Sequence, residues 1–275
     1  MQWWCAATAS EWAWVWRPYP GVWLFIALLA GAYAIRFRAL NPQARRWHQA
    51  LRFGLGLALL WAALDWPIGT LGAGYLLSVH SAQYVLITAV AVPTILAGMP
   101  PAFFAATTPL ALSSPSSVLG RLVPASPPLL RRMTHPGLGL LAFSVVMGMT
   151  HVPAISDSLM ASQPGSLLID LLWLAGAGAL WWPVLAPEGL RRMSPPLRIG
   201  YLFGATIPPT VPAAFLVFAD FPLYALFELA PRVHGIPAAA DQQVAGLIMK
   251  AGMDPLIWLG MAIIFFRWRI EEDDG

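Results

Sequence analysis

The stretch that decides the fold runs from residue 71 to residue 97 and reads LGAGYLLSVHSAQYVLITAVAVPTILA. It contains no charged side chain, and as an α-helix it would extend about 40 Å, which predicts a helix that spans a membrane. Its first half nevertheless holds four polar side chains, Ser78, His80, Ser81 and Gln83. Because an unpaired imidazole or amide in lipid costs several kcal/mol, we expect His80 to face a bundle interior or a polar cavity.

The whole chain has the composition of an integral membrane protein. Of its 275 residues, 58% are hydrophobic and only 11% are charged, whereas a soluble domain has about 25% charged residues. The basic residues are mostly Arg in short loops between apolar runs, so membrane orientation explains them better than nucleic-acid binding. Tryptophans near the predicted span ends are expected to anchor in the headgroup layer. They are Trp3, Trp4, Trp12, Trp14, Trp16, Trp66, Trp181, Trp182 and Trp268.

Seven apolar runs are long enough to cross a bilayer. They lie at about residues 19–35, 50–65, 71–97, 136–152, 165–186, 197–219 and 241–266. The Pro-rich segment 98–135 is expected to be an interfacial connector on the cytoplasmic side. The predicted fold class is therefore all-α, a polytopic integral membrane bundle of seven transmembrane helices that forms a single membrane domain, residues 1–275.

The arginines predict the orientation of this bundle. Under the seven-helix assignment, 13 of the 16 basic residues fall on one side of the membrane. The alternate loops are mainly acidic, with Asp65, Asp157, Asp220 and Glu228. This asymmetry predicts an outside N-terminus and a cytoplasmic C-terminus.

Ionisable side chains within the predicted spans suggest a polar site. His80, His151, Asp170 and Lys250 fall in the outer half of the membrane, with Asp254 one turn deeper. We therefore expect a convergent site that opens to the non-cytoplasmic side. The spacing allows Lys250 to pair either with Asp254 on the same helix or with Asp170 at a similar depth, as a pin between helices or as a proton or ligand gate.

Methionine and histidine at helical spacing suggest a soft metal ion. Met147 and His151 are four residues apart, as are Met249 and Met253, and thioether with imidazole suits Cu(I). The alternatives are ordinary packing for the methionines, a hydrogen bond to a neighbouring helix for His80, and a cap or a surface position for His151. A haem between His80 and His151 is a further alternative. No phosphate-binding loop, nucleophile elbow or zinc-protease motif is present, so no enzyme activity, catalytic residue or organic cofactor is expected.

Several motifs in order resemble the CtaG-like family of cytochrome c oxidase assembly proteins. These motifs are LDWPIGTLGAGYLLSVHSAQYVLITAVAVPTILAGMP, HP at 135–136, THVPAISDSLM, LWLAGAGALWWPVLAP and DQQVAGLIMKAGMDP. The resemblance implies a role in maturing a haem-copper oxidase by handling copper on the outer side of the inner membrane. Its motif positions fall on His80, Gln83, His151, Pro153, Asp157, Asp241, Gln242 and Gly246.

The chain also departs from the family pattern. The resemblance implies a second histidine where Tyr84 stands, histidines near Ser166 and Asp170, and an aromatic residue where Lys250 stands. Loss of these ligands would weaken a metal site or remove it, and an ion pair between Asp170 and Lys250 would then hold together the helices that copper holds in other members. The chain is thus expected to be a divergent member.

Together these features predict a non-enzymatic assembly factor of the cell inner membrane that binds or passes Cu(I). The expected metal ligands are His80, His151, Met147, Met249 and Met253, surrounded by a polar cluster of Gln83, Asp157, Asp170, Asp241, Gln242, Lys250 and Asp254. The expected partner is a cytochrome c oxidase subunit or another copper-handling membrane protein. Two alternatives are a metal-free structural or accessory subunit, and a transporter for copper or a small solute with a path past Asp254.

Overall fold

The computed structural model describes residues 2–8, 10–101, 103, 135–186 and 193–273. Every regular element in these ranges is helical, which confirms the all-α fold class. Most of the segment predicted to be an interfacial connector, from residue 104 to residue 134, lies outside the described residues.

We number twelve α-helices along the described ranges. They are α1 (Pro20–Ala39), α2 (Trp47–Leu64), α3 (Ile68–Gly74), α4 (Leu77–Val85), α5 (Val92–Ala97), α6 (Pro136–Thr150), α7 (Pro153–Met160), α8 (Gln163–Leu185), α9 (Pro195–Ala205), α10 (Ile207–Phe218), α11 (Ala225–Glu228) and α12 (Ala238–Asp273). A 3₁₀ turn at Pro42–Ala44 precedes α2, and a π-helical turn at Leu86–Ala91 joins α4 to α5.

The helices form a multi-pass bundle with five to seven candidate spans. Five segments are long and apolar enough to cross a membrane: Pro20–Ala39, Leu77–Ala97, Gln163–Leu185, Pro195–Phe218 and Ala238–Asp273. Two further spans result if each bent pair counts as one, namely α2 with α3, bent by 45°, and α6 with α7, bent by 75°.

The prediction of one unbroken helix at 71–97 is wrong at its beginning. The chain turns between α3, which ends at Gly74, and α4, which begins at Leu77. Asp241 of α12 caps α4, since its Oδ2 accepts a hydrogen bond from the Leu77 N–H at 2.6 Å and its Oδ1 accepts one from the Ser78 hydroxyl. The first N–H groups of a helix have no partner within the helix, so a buried carboxylate can fix where α4 begins.

The span from Leu77 to Ala97 is the centre of the bundle. In its most apolar window 61% of the residues are buried, against 6% for α1, which packs at the edge. The π-helical turn precedes Pro93, which has no N–H to donate. The carbonyl of Thr88, in this turn, accepts a hydrogen bond from Trp181 Nε1 of α8 at 2.8 Å. The irregular backbone is therefore stabilised by a neighbouring helix, as required inside lipid.

The lipid-facing surface is apolar, but not all of the predicted tryptophan anchors belong to it. Trp14 and Trp16 are 63% and 57% exposed, whereas Trp4 and Trp181 are only 2% and 4% exposed. The anchor prediction is therefore wrong for Trp4 and Trp181, whose indoles donate hydrogen bonds inside the bundle. Large exposed apolar side chains include Leu28, Ile35, Leu141, Val211, Phe215, Leu247, Trp258 and Phe266.

Short elements cover the end of the bundle at which α4 and α12 begin. The N-terminal segment contacts α7 through a hydrogen bond from the Ala7 N–H to the Met160 carbonyl at 3.2 Å. Asp157 of α7 accepts a hydrogen bond from the Ala225 N–H of α11 at 3.0 Å. We call this layer, made of residues 2–8, α7 and α11, the cap.

Candidate functional site

The two histidines singled out in the sequence lie beneath the cap. His80 is on the first turns of α4, and His151 follows α6 at the 75° bend before α7. The two residues are only 7% and 8% exposed. Both imidazoles therefore face the protein interior rather than lipid.

Aromatic side chains bring these two histidines into one cluster. The ring of Trp173, from α8, lies 4.9 Å from His80 and 6.4 Å from His151, centroid to centroid. Tyr84, one turn after His80, lies 5.0 Å from His151 and 5.3 Å from Trp173. Trp173 is held in place because its Nε1 donates a hydrogen bond to Thr150 Oγ1 at 3.0 Å. We call His80, Tyr84, His151 and Trp173 the histidine cluster.

The hydrogen bonds of His151 leave one of its ring nitrogens available as a ligand. Its Nδ1 lies 2.8 Å from the Met147 carbonyl oxygen. A carbonyl can only accept, so Nδ1 carries the proton and Nε2 keeps its lone pair. Nε2 is buried and has no hydrogen-bond partner among the described residues, and the same holds for the Tyr84 hydroxyl. Unpartnered buried polar atoms are rare in folded proteins and suggest a site where something else binds.

The three methionines of the predicted ligand set all face the interior. Met147, Met249 and Met253 are 3%, 0% and 0% exposed. Met147 belongs to the same helical face as His151, whose ring reaches back to its carbonyl. Met253 lies deeper, with its Sδ 3.9 Å from Thr88 Oγ1 in the π-helical turn, and Met249 precedes it by one turn of α12.

A small polar cavity is lined in part by His80. It has a volume of about 20 Å³, which is the size needed by one water molecule. Its polar lining consists of Cys5, His80, Gln83, Ser166 and Asp170. Gln83 is fixed because its Nε2 donates a hydrogen bond to the Ala63 carbonyl at 2.8 Å.

The ion pair suggested between Asp170 and Lys250 is wrong. Asp170 Oδ2 accepts a hydrogen bond from Trp4 Nε1 at 2.8 Å, because the N-terminal segment enters the bundle and reaches α8. Lys250 Nζ instead lies 2.8 Å from Asp254 Oδ2, so the alternative pairing along α12 is confirmed. Residues 2–8 show no periodic hydrophobic pattern, so the sequence does not predict that Trp4 and Cys5 lie beside the site.

Cys5 is held as an unreactive thiol. Its Sγ donates a hydrogen bond to the Leu64 carbonyl at 3.2 Å. Burial, and secondarily the negative charge of Asp170, raise the pKa of the Cys5 thiol well above its usual range. The thiol therefore remains protonated near neutral pH in the metal-free protein, and it is a poor nucleophile in that state.

Three other residues of the predicted polar cluster serve the architecture and lie outside the histidine cluster. Asp241 caps α4, and Asp157 accepts hydrogen bonds from the start of α11. Gln242 holds the loop before α11, since its Oε1 accepts a hydrogen bond from the Leu223 N–H at 2.7 Å and its Nε2 donates one to the Phe221 carbonyl at 3.1 Å. The residues of the predicted polar cluster therefore lie in three separate places: at the cap, beside the histidine cluster, and at a lipid-facing position on α12.

The donors that remain at the histidine cluster suit a soft cation. In the parts of the chain that the structure describes, no three His, Cys, Asp or Glu side chains are grouped so that they could hold a metal ion. A hard cation would require such oxygen ligands. Imidazole nitrogens and a phenol remain in the cluster, with the Met147 thioether on the same helical face as His151, and donors of this kind suit softer ions better than Mg²⁺ or Ca²⁺.

The three positions at which the resemblance implies histidines lie around this same site, whereas Lys250 lies on the lipid-facing side of α12. Tyr84 belongs to the histidine cluster, and Ser166 and Asp170 line the small cavity beside His80. Replacement of histidine at these positions would therefore change the immediate surroundings of His80 and His151.

Comparison with known proteins shows a family match that covers most of the chain. A family model described as cytochrome c oxidase caa3 assembly factor (Caa3_CtaG) matches residues 29–271. This range contains the whole histidine cluster but leaves out the N-terminal segment with Trp4 and Cys5. No curated protein and no solved structure matches the chain. By the extent of the family match, this chain belongs to the caa3 cytochrome c oxidase assembly factor family.

Proposed function

We propose that this protein binds Cu(I) at the histidine cluster and passes it to a subunit of a caa3-type cytochrome c oxidase during assembly. The observation that carries the proposal is the state of His151. Its Nδ1 is fixed by the Met147 carbonyl, while Nε2 is buried without a partner and lies on a ring in contact with Tyr84.

The chemistry of the cluster fits a metal cargo that is bound and then released. His80 and His151 would provide the imidazole ligands, and the buried Met147, on the same helical face as His151, would provide a thioether. Two or three soft ligands bind Cu(I) while leaving a position open for the ligands of an acceptor protein. In this proposal Met249 and Met253 extend the soft surface deeper along α12.

The cluster is proposed to face the outer side of the cell inner membrane. The distribution of basic residues in the sequence supports this orientation. Arg267 and Arg269, which end the apolar part of α12, lie at the opposite end of that helix from Asp241. Copper would therefore enter and leave through the cap, whose elements are short.

Copper binding by the purified protein tests the proposal. The protein is purified in detergent, loaded with Cu(I) under reducing conditions and washed with a weak chelator. We expect about one copper per chain in the wild type, and less than a tenth of that in His151→Ala and in His80→Ala. His48→Ala, which removes an exposed histidine at the start of α2, is the matched control and should bind copper as the wild type does.

The function in cells is tested in a strain that lacks the protein. Oxidase activity should be low and should recover when excess copper is added to the medium. His151→Ala should behave like the deletion, and His48→Ala like the wild type. Wild-type protein that holds no copper, or a deletion strain that copper does not rescue, would exclude the copper role.

A second candidate function is a metal-free accessory role in oxidase assembly. It is favoured by Asp241, Gln242 and Asp157, which are engaged in hydrogen bonds within the bundle or the cap. In that case the cap would be the working surface, and the histidine cluster would serve packing alone. Oxidase assembly that is normal in His151→Ala but lost in Asp157→Ala would support this role.

A further inference from the structure

An ion pair on the lipid-facing side of the bundle has no role in the copper proposal. Lys250 Nζ lies 2.8 Å from Asp254 Oδ2 and donates a hydrogen bond to Thr210 Oγ1 of α10 at 2.6 Å. The Asp254 side chain is 10% exposed, but that of Lys250 is 40% exposed. A charged side chain is therefore accessible on the outside of the helices.

This ion pair lies at the depth of the hydrocarbon. At 1.5 Å per residue, Lys250 is about 18 Å along α12 from Ala238 and about 26 Å from Arg267. The hydrocarbon core is about 30 Å thick. Because Lys250 is far from both ends of the segment between Ala238 and Arg267, the core includes it wherever along this segment the core begins. The ammonium is paired with Asp254, which lies one turn further along α12 in the direction of Arg267. The Lys250 side chain therefore points away from the nearer membrane surface, at the Ala238 end, which an unpaired lysine would reach.

The pair leaves several hydrogen-bonding groups without a protein partner. An ammonium has three donors, and the described residues supply two acceptors for it, Thr210 and Asp254. Asp254 Oδ1 is buried without a partner among the described residues. Pro255, on the exposed side of α12, cannot supply the N–H that the Ala251 carbonyl would otherwise accept. Lipid tails cannot satisfy these groups, so ionisable residues at this depth usually mark a functional contact.

The surface around the pair is otherwise apolar. Leu247, one turn before Lys250, is 55% exposed, and Trp258, two turns after it, is 53% exposed. Ala251 beside it is small and exposed, which allows another backbone to approach closely. An apolar face with one polar position at mid-depth is the surface that a second transmembrane helix recognises.

We propose that this face of α12 and α10 binds a transmembrane helix of a partner that presents a neutral hydrogen-bonding side chain, an amide or a hydroxyl, to Lys250. The partner side chain is neutral because Lys250 and Asp254 already balance one another. An added carboxylate would leave a net charge in hydrocarbon. The identity of the partner, a membrane subunit of the oxidase, rests on the proposed function.

Lys250 would give the chain a contact that selects one partner helix over others, because a helix without a polar group at that depth would leave the ammonium unsatisfied.

Site-specific photo-crosslinking in native membranes tests the proposal. A benzophenone amino acid is placed at Leu247, and at Leu28 of the peripheral helix α1, which is 62% exposed, as the matched control. We expect a light-dependent product with an oxidase subunit from position 247 and none from position 28. The double variant Lys250→Met with Asp254→Leu, which removes both charges together, should reduce that product at least fivefold while the protein still purifies as a monodisperse species.

The possible outcomes separate this proposal from the function on which it rests. Oxidase activity is measured in the same cells. If oxidase assembly requires the protein but position 247 crosslinks only to lipid or to a second copy of the chain, the docking surface is refuted and the assembly function stands. If the oxidase assembles normally without the protein, the proposed function fails first. An undiminished crosslink in the double variant would show that Lys250 does not recognise the partner.

Discussion

Replacement of Asp241 by alanine should loosen the helix that carries His80. Asp241 is 6% exposed and fixes the start of α4 from the neighbouring helix α12. Its Oδ2 is 2.6 Å from the Leu77 nitrogen, and its Oδ1 accepts a hydrogen bond from the Ser78 hydroxyl. In Asp241→Ala these donors lose their acceptor in a region that water does not reach freely.

The expected loss can be worked out from these contacts. Loss of a helix N-cap costs about 1 kcal/mol, and a buried N–H left without an acceptor costs about 1–3 kcal/mol. We therefore expect Asp241→Ala to lower the free energy of unfolding by about 2–4 kcal/mol. Asp241→Asn keeps one acceptor oxygen but loses the stronger, charge-assisted hydrogen bond, so its loss should be about half as large.

The assay is reversible unfolding in mixed micelles, followed by tryptophan fluorescence. Asp220→Ala, which removes an exposed carboxylate near the start of the α11 loop, is the matched control and should change stability by less than about 0.5 kcal/mol. If copper binds at the histidine cluster, Asp241→Ala should also weaken copper binding, because His80 follows the capped turn directly.

Two results would refute this reasoning. A loss below about 0.5 kcal/mol for Asp241→Ala would show that water or other groups replace the cap without cost. Equal losses for Asp241→Ala and Asp241→Asn would show that the acceptor oxygen is not what matters.

Three further predictions concern the surroundings of the site. Gly72→Ala should destabilise the protein by about 1–3 kcal/mol in the same assay. The added Cβ would lie 1.8 Å from Gln83 Oε1 and 3.2 Å from His80 Cα. Gly54→Ala is the control and should not destabilise the protein, because nothing lies within 4 Å of its added Cβ. Trp4→Phe should lower the free energy of unfolding by about 1–3 kcal/mol, because it removes the hydrogen-bond donor to Asp170. Trp3→Phe changes an exposed side chain and should lower it by less. Cys5 should not react with a maleimide at pH 8 in detergent, because burial raises the pKa of its thiol. It should react fully once SDS unfolds the protein. Rapid labelling of the folded protein would contradict this prediction.

The sequence predicted the helices well because long apolar runs leave few alternatives in a membrane. It did not predict every break. The predicted end of the span 136–152 lies close to the end of α6 at Thr150. The turn at Tyr75–Leu76, by contrast, lies inside an uncharged run, and it is fixed by Asp241, a residue more than 160 positions away. Long-range caps of this kind leave no local periodic signal.

The site was only partly predictable for a related reason. His80 and His151 were identified because an imidazole in an apolar run is costly and therefore unusual. Tyr84 and Trp173 were not identified as members of the cluster, since aromatic residues are ordinary in a membrane bundle. Their role depends on ring contacts between α4, α6 and α8, which only the structure provides.

The polar groups beneath the cap differ in whether their hydrogen bonds are complete. A substitution at one of the incomplete groups tests whether that group takes part in binding a metal ion. The Tyr84 hydroxyl and His151 Nε2 are both buried without partners among the described residues. Leaving such a group unpaired costs about 1–3 kcal/mol, so a cluster that serves packing alone would be more stable without it. Tyr84→Phe should therefore raise the stability of the copper-free protein under either hypothesis. Only if Tyr84 helps to hold the metal should the same substitution also weaken Cu(I) binding, measured by competition with a chelator. A variant that is more stable and binds copper as tightly as the wild type would restrict the ligands to His80, His151 and the thioethers.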